Sequence, residues 1–226
     1  MLTAAAGVAV FTLVGVLIGL VVWRDPGPPR SDAVAPDSPA ASAATLAGTP
    51  GELNPASREA SVGGVSMRLP DDPYTVYSDP LERRGTLAEI FLASARVHAD
   101  YDGPRDWSAV VGLGPVGTSA GSNPDLERLA DRIVRQLADQ FFGDHRTAIR
   151  GVSVADHAVN GRPGLLLTAQ VHYRAEGLPS RYDAVSVVVV RQDDGSVVAA
   201  FSSVPEDAPP ELARLAEESL ASLHIR

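Results

Sequence analysis

The last third of the chain alternates hydrophobic and polar residues with the two-residue period of a β-strand. This pattern predicts four strands, over Gly151–Val159, Gly164–Arg174, Tyr182–Arg191 and Ser196–Val204. Short turns separate them, and Asn160-Gly161 is typical of a type I′ hairpin because both residues accept a positive φ. We therefore expect an antiparallel meander, with the β-branched strand Tyr182–Arg191 inside the sheet.

Two other segments repeat hydrophobic residues with helical spacing. The first helix is expected to begin at Pro124, with Ser122 or Asn123 as its N-cap, and to end at Gly143. The second closes the chain and places Pro209-Pro210 in its first turn. The apolar stripes are Leu126, Leu129, Ala130, Ile133, Val134, Leu137 and Phe141 in the first helix, and Leu212, Leu215, Ala216, Leu220 and Leu223 in the second.

The preceding residues give weaker patterns. Gly64–Leu69 and Trp107–Val116 are expected to be strands. The segment Thr86–Glu89 has the spacing of a capping box, which predicts a short helix over Leu87–Val97. Together the elements indicate one α+β domain over residues 61–226, an antiparallel sheet flanked by helices.

A different pattern opens the chain, where Leu2–Trp23 contains no charged residue. As a helix this run would span roughly 33 Å, enough for a hydrocarbon core of roughly 30 Å. No Lys or Arg precedes it, and the Ala33-Val34-Ala35 triplet that resembles a cleavage site lies ten residues beyond it. We therefore expect residues 1–24 to be a retained single-pass anchor rather than a signal peptide.

Residues 25–60 have the composition of a linker. Seven prolines stand among Ala, Ser, Gly and Thr, so the segment has little to bury that could offset its ordering entropy. Arg24 and Arg30 follow the predicted anchor, and the positive-inside rule taken alone would put the domain in the cytoplasm. The long Pro/Ala-rich spacer favours a domain outside the plasma membrane instead, and we adopt that orientation.

Charge and cysteine content exclude several classes of function. The formal net charge is −9, which disfavours nucleic acid and anionic lipid surfaces as partners. The chain has no cysteine, so it forms no disulfide, thiolate metal site or thiol nucleophile.

Five features in this order resemble the PsbP-like domain of actinobacterial envelope proteins of the LpqN/LpqT type. They are a strand running into Pro70-Asp71-Asp72, the helix from Pro124, the strand into Asn160-Gly161-Arg162-Pro163, the meander, and Phe201–Pro205 followed by a helix. The resemblance covers residues 61–226. It implies an antiparallel sheet flanked by helices, in an envelope protein that binds or assists, and it supplies no catalytic residues.

One motif suggests catalysis. Gly117–Gly121 matches the G-x-S-x-G nucleophile elbow of α/β-hydrolases and makes Ser119 a candidate nucleophile. The predicted helix begins several residues later, and no parallel sheet is indicated. Potential partners follow in the sequence, with histidines at 145, 157, 172 and 224 and acids at 139, 144 and 156. A flexible Gly/Ser loop is the favoured interpretation.

Other chemistry has little support in the sequence. The five histidines lack the spacing of a zinc site, and Asp71-Asp72 and Asp193-Asp194 lack that of a calcium loop. The Gly-rich segment Gly112–Gly117 has neither dinucleotide nor P-loop spacing. We predict no metal, no cofactor and no catalytic residues.

The favoured hypothesis is a non-enzymatic binding or accessory module of the cell envelope, tethered to the membrane, with a partner protein. A carrier of a small apolar or lipid-like ligand, held between the sheet and the helix Pro124–Phe142, is the alternative, and a serine hydrolase using Ser119 is a lesser one. Trp107 and Tyr173 are expected in the core or at its rim, and would line a pocket if they faced one groove.

Overall fold

The computed structural model describes residues 51–82, 85–87, 89–103, 105–117, 124–143 and 145–226. These residues form an α+β domain in which antiparallel strands are combined with two helices. The strands are β1 Glu52–Asn54, β2 Glu59–Val62, β3 Val65–Arg68, β4 Thr75–Val76, β5 Leu81–Glu82, β6 Glu89–Asp102, β7 Arg105–Pro115, β8 Ala148–Asp156, β9 Gly164–His172, β10 Tyr182–Arg191, β11 Val197–Pro205 and β12 His224–Ile225, and the helices are α1 Leu126–Phe142 and α2 Pro210–Ala221.

The larger sheet has eight strands in the order β4-β6-β7-β11-β10-β9-β8, with β5 also paired to β6. The predicted meander is confirmed, because β8, β9, β10 and β11 pair in sequence order and every pair is antiparallel. β10 lies inside the sheet, as its β-branched composition indicated. A smaller sheet has the order β1-β2-β3-β12.

Two hydrophobic cores lie on opposite faces of the larger sheet. On one face, α1 packs Leu129, Ile133 and Leu137 against residues of β9 and β10, and all three leucine or isoleucine side chains are fully buried. On the other face, α2 and the smaller sheet pack together. The two-residue period predicted over Gly164–Arg174 is confirmed, since the alternating residues Leu167, Ala169, Val171 and Tyr173 belong to the α1 core.

The predicted hairpin turn is also confirmed. Asn160 and Gly161 have φ values of 49° and 78°, as a type I′ turn requires. Val159 and Arg162 close the turn by exchanging two backbone hydrogen bonds, of 3.1 and 2.9 Å. This turn fixes the register between β8 and β9.

The helix predicted over Leu87–Val97 is wrong, because the segment Glu89–Asp102 is the strand β6. Its hydrophobic residues are buried on both faces: Ile90 and Leu92 lie in the α1 core, and Phe91 and Ala93 lie in the other core. A strand buried on both faces shows no alternation, so its sequence does not distinguish it from a helix.

The predicted boundary between linker and domain at residue 60 is also wrong. β1 and the first two residues of β2 lie within the residues assigned to the linker, and the two strands pair with each other antiparallel. The turn between them is closed by Asn54, whose Oδ1 accepts from the backbone N–H of Ala56 at 3.0 Å. The sequences of these two short strands contain few hydrophobic residues, so hydrophobic patterning did not predict them.

The first helix begins later than predicted, at Leu126, and its N-cap is Asp125 rather than Ser122 or Asn123. The Asp125 carboxylate accepts from the backbone N–H groups of Glu127 and Arg128, which supplies the cap without an earlier residue. Ser122 and Asn123 lie outside the described residues, as does the predicted anchor at residues 2–23. Within the described part of the chain, no helix has the length and apolar character of a membrane span.

Candidate functional site

Strand β8 forms one edge of the larger sheet and is exposed along almost its whole length. In the described residues it pairs with β9 alone, so its other side presents unpaired backbone groups. Val152 and Val154 on this strand are 52% and 39% exposed, and within the described part of the chain Tyr77, near the opposite edge, is the one further large apolar residue exposed to a similar extent. An uncovered edge with apolar side chains is unusual, because edge strands are commonly protected by charges or proline.

A β-bulge determines which way these valines point. The pairing shifts register between Arg150 and Ser153, so one extra residue is inserted opposite β9. Gly151 lies in the bulge with φ of 58°, a left-handed value that glycine adopts at little cost. After the bulge, Val154 is opposite Leu167 of the α1 core. The bulge therefore brings Val152 and Val154 to the face that carries α1.

An open groove of about 620 Å³ runs between this edge and the first half of α1. Val152, Val154 and Leu167 form its apolar floor. Its other wall carries both signs of charge, with Asp125, Glu127, Asp131, Arg128 and Arg132. The groove thus combines an apolar floor, a charged rim and a free strand edge, which are the features of a peptide-binding surface.

A second feature is an aromatic cluster beneath the C-terminal end of α1. The Trp107 ring lies 4.7 Å from the ring of Tyr173 and 5.4 Å from that of Phe142, measured between centroids. Tyr101 and His145 also contact the indole. Trp107 and Tyr173, which the sequence could not place together, therefore belong to one cluster.

This cluster surrounds a buried carboxylate. Asp183 is 1% exposed, and its Oδ1 accepts from the Tyr173 hydroxyl at 2.7 Å and from Trp107 Nε1 at 3.5 Å. Its Oδ2 accepts from the Ser203 hydroxyl at 2.8 Å. Burial raises the pKa of Asp183 to about 6, although these three hydrogen bonds act to lower it. The group is therefore mainly ionised at neutral pH.

A second acid lies nearby on the loop after β11. Asp207 accepts from the Ser180 hydroxyl and pairs with His98 Nε2 at 3.0 Å. Burial alone would raise the pKa of Asp207, but the hydrogen bonds from Ser180 and His98 outweigh it and hold the pKa below its usual value. Its negative charge in turn raises the pKa of Asp183.

The aromatic cluster and Asp183 border a recess of about 160 Å³ beside the end of α1. The residues around it are Asp106, Trp107, Ser108, Val110, Phe141, Phe142, Asp183 and Ser203. None of these side chains is basic.

The hydrolase motif receives no support from these positions. Ser119 and Asp144 lie outside the described residues. His172 contacts Gln170 and the ring of Tyr182, and His224 contacts Ser66. These two histidines, with His145 at the aromatic cluster, lie in three separate places and are partnered there.

No group of three or more His, Asp or Glu side chains suited to a metal is found among the residues described. Residues 112–115 of the Gly-rich segment lie in β7, where the two glycines allow close packing. A Cβ atom at Gly112 would lie 2.7 Å from the ring of Phe201, and one at Gly114 would lie 2.3 Å from the carbonyl oxygen of Glu89. These glycines let β7 approach its neighbours closely.

Sequence reasoning missed both Asp183 and the exposed valines of β8. One signal for Asp183 was present. It is the single acid in the run Tyr182–Arg191, and it stands at two-residue spacing from Val185, Val187 and Val189, so it is expected on the same face of the strand. An acid at a core position of a strand must be hydrogen-bonded when buried. For Val152 and Val154 the sequence gave no signal, because strand order decides which strand forms an edge.

Comparisons with known proteins give similarity in structure but not in sequence. No family model matches the chain, and no curated protein matches it. Among solved structures it is similar to cyanobacterial PsbP (CyanoP) from Synechocystis, with 12% identity, a TM-score of 0.45, and coverage of 81% of this chain and 96% of that one.

Two further structures are similar at the same level. Protein PA94 from Pseudomonas aeruginosa has 18% identity and a TM-score of 0.39, over 68% of this chain and 97% of that one. The Ran-binding protein Mog1p from Saccharomyces cerevisiae has 14% identity and a TM-score of 0.43, over 72% and 90%. At such scores none of them transfers a function or a residue. The resemblance to the PsbP-like domain, and its LpqN/LpqT-type assignment, stay predictions.

Proposed function

We propose that this chain is a non-enzymatic binding or accessory module of the bacterial cell envelope. Residues 2–23 tether it to the plasma membrane, and its α+β domain lies on the outer side. The uncharged run, the Pro/Ala-rich spacer and the net charge of −9 support this proposal. The partner is a protein that contributes an extended segment.

The observation that carries this proposal is the free edge of β8 beside an apolar groove. Along β8 the backbone N–H and C=O groups of successive residues point alternately toward β9 and away from it. The N–H of His157, just beyond β8, donates to the carbonyl of Gly164 at 3.0 Å and so points toward β9. By alternation, Val154 and Asp156 direct their backbone groups away from β9. A strand added there would hydrogen-bond to these groups, and its alternate side chains would reach the groove floor.

The first strand of the described residues lies away from this surface. β1 belongs to the smaller sheet, which covers the face of the larger sheet opposite α1. The groove lies on the α1 face.

Site-specific crosslinking in intact cells tests the binding edge. A photoreactive residue at position 152 or 154 is expected to crosslink to one discrete partner, and the same residue at position 77 is not. Tyr77 is the matched control because it is 44% exposed, within the range of the two valines. Val154→Lys should abolish the crosslink formed from position 152, whereas Tyr77→Lys should leave it unchanged.

Equal crosslinking from positions 152 and 77, or a crosslink that survives Val154→Lys, would contradict the binding edge. The tether is tested separately by treating intact cells with protease. Loss of the domain supports the outer location, and full protection of the domain reverses it.

The packing favours neither alternative function. A ligand carrier needs space between the sheet and the helix Pro124–Phe142, but Leu129, Ile133 and Leu137 fill that interface. The serine hydrolase is tested by Ser119→Ala and a serine-reactive phosphonate. Labelling of the native chain that disappears in the variant would restore that hypothesis.

A further inference from the structure

Among the described residues, the side chains that line the recess beside the end of α1 include two carboxylates and no basic group. Asp183 lies at its base and Asp106 at its rim. The rim carboxylate is paired with Arg96, at 3.3 Å between Nε and Oδ2. Asp183, in contrast, accepts hydrogen bonds from three neutral groups of the described residues. Its charge is therefore buried without an ionic partner, which is costly.

The Asp183 carboxylate also has spare capacity to accept a hydrogen bond. An ionised carboxylate offers about four lone-pair positions. Oδ1 accepts from Tyr173 and Trp107, while Oδ2 accepts from Ser203 as its one partner among the described residues. One acceptor position on Oδ2, the oxygen held by the recess-lining Ser203, is left for a donor from outside.

The walls of the recess suit the organic part of a cationic ligand. Trp107, Phe141 and Phe142 contribute aromatic rings, and Val110 contributes an aliphatic side chain. Aromatic faces attract cations as well as hydrocarbon, and Trp is the strongest of them in this respect. A volume of about 160 Å³ admits a small molecule but not a peptide.

We propose that this recess binds a small organic cation, a protonated primary amine whose ammonium group donates to Asp183 and whose short alkyl chain lies against Trp107 and Phe142. The site is separate from the β8 edge. A metal ion fits less well, because Asp183 and the paired Asp106 are the two carboxylates around the recess.

Titration with n-butylammonium chloride tests this proposal. The protein is the full chain carrying Trp23→Phe, in a maltoside detergent that has no ammonium group, so that Trp107 is its single tryptophan. We expect a saturable change in Trp107 fluorescence. Sodium chloride at equal ionic strength and n-butanol, a neutral molecule of similar shape, should give no saturable change.

Asp183→Asn keeps the shape of the side chain and removes its charge. Because hydrogen bonds to a charged group are among the strongest, this change should weaken n-butylammonium binding about 10-fold or more. Asp72→Asn is the matched control, since the side chain of Asp72 is 99% exposed. It should bind as the parent chain does.

Ser108→Phe gives a second variant should Asp183→Asn fail to fold. Ser108 is a partly exposed residue that lines the recess, and phenylalanine there should fill it and prevent binding while Asp183 remains. The proposal is overturned by an absence of saturation with n-butylammonium, by equal binding of n-butanol, or by unchanged binding in the Ser108→Phe chain.

Discussion

Trp107 and Tyr173 lie with their ring centroids 4.7 Å apart, and both donate a hydrogen bond to the same buried carboxylate of Asp183. Each ring comes from a different part of the sheet, Trp107 from β7 and Tyr173 from the residue after β9. The two donors hold β7, β9 and β10 to a common point. This arrangement should contribute to stability as well as to the recess.

Tyr173→Phe removes the shorter of these two hydrogen bonds and keeps the ring. Because the acceptor is buried and charged, we expect the free energy of unfolding to fall by about 1.5–3 kcal/mol. Urea denaturation measures the change. Tyr77→Phe is the matched control: its hydroxyl bonds to Ser94 at an exposed position, and its loss should cost less than about 0.5 kcal/mol. Equal effects of the two variants would contradict a special role for Asp183.

The pKa of Asp183 predicts an unusual dependence of stability on pH. Burial raises the pKa from 3.8 to about 6, so the folded chain binds this proton more tightly than the unfolded chain does. The contribution of Asp183 to stability is therefore greatest below the unfolded pKa and declines as pH rises through about 6. The expected decline is about 3 kcal/mol.

Comparison with Asp183→Asn isolates this effect. Other carboxylates, such as Asp194 and Glu211, have lowered pKa values and make stability rise with pH, but they are common to both chains. The stability of the parent chain minus that of the variant should fall between about pH 4 and pH 7. A difference that stays level or rises over this range would show that Asp183 is not buried as an isolated charge.

Asp125→Ala tests the observed start of α1. The carboxylate of Asp125 accepts from two backbone N–H groups, at 3.0 and 3.2 Å, so its removal should cost about 1 kcal/mol of unfolding free energy. Asp139→Ala is the control, because Asp139 is exposed near the other end of the helix. That change should lie within about 0.5 kcal/mol of zero. A silent Asp125→Ala would mean that another residue caps the helix.

Gly151 is expected to tolerate asparagine better than valine. A Cβ atom added there meets no heavy atom closer than Gln170 Oε1 at 4.0 Å, so the cost comes from the positive φ and not from a clash. Valine should destabilise the chain by about 1–2 kcal/mol, and asparagine by less, because asparagine enters the left-handed region more easily. Thermal unfolding ranks the two variants, and the reverse order would contradict the bulge geometry.

Local signals predicted most of the fold. The Asn160-Gly161 turn, the alternation in β9 and the helical spacing of Leu129, Ile133 and Leu137 depend on neighbours in sequence, and these elements were confirmed. The prediction for β6 was wrong because its structure depends on residues that are distant in sequence. The capping-box spacing at its start is a local signal. The two cores that bury the two faces of this strand, with Phe91 on one side and Ile90 on the other, are formed by segments distant in sequence.

The candidate sites were harder to predict than the fold. The groove depends on strand order, which leaves β8 at an edge and exposes Val152 and Val154. The recess depends on residues from β7, α1, β10 and β11 meeting at one point. Neither juxtaposition has a period or a motif in the sequence, so pattern analysis could identify Trp107 and Tyr173 only singly.

The two cores share β10, where Val187 and Val189 pack under α1 while Val188 and Val190 face the other side. Insertion or deletion of one residue within this strand would move the side chains beyond that point to the opposite face of the sheet. Both hydrophobic cores would then lose their packing at once. Length variation during evolution should therefore be tolerated in the connecting loops and purged from this strand.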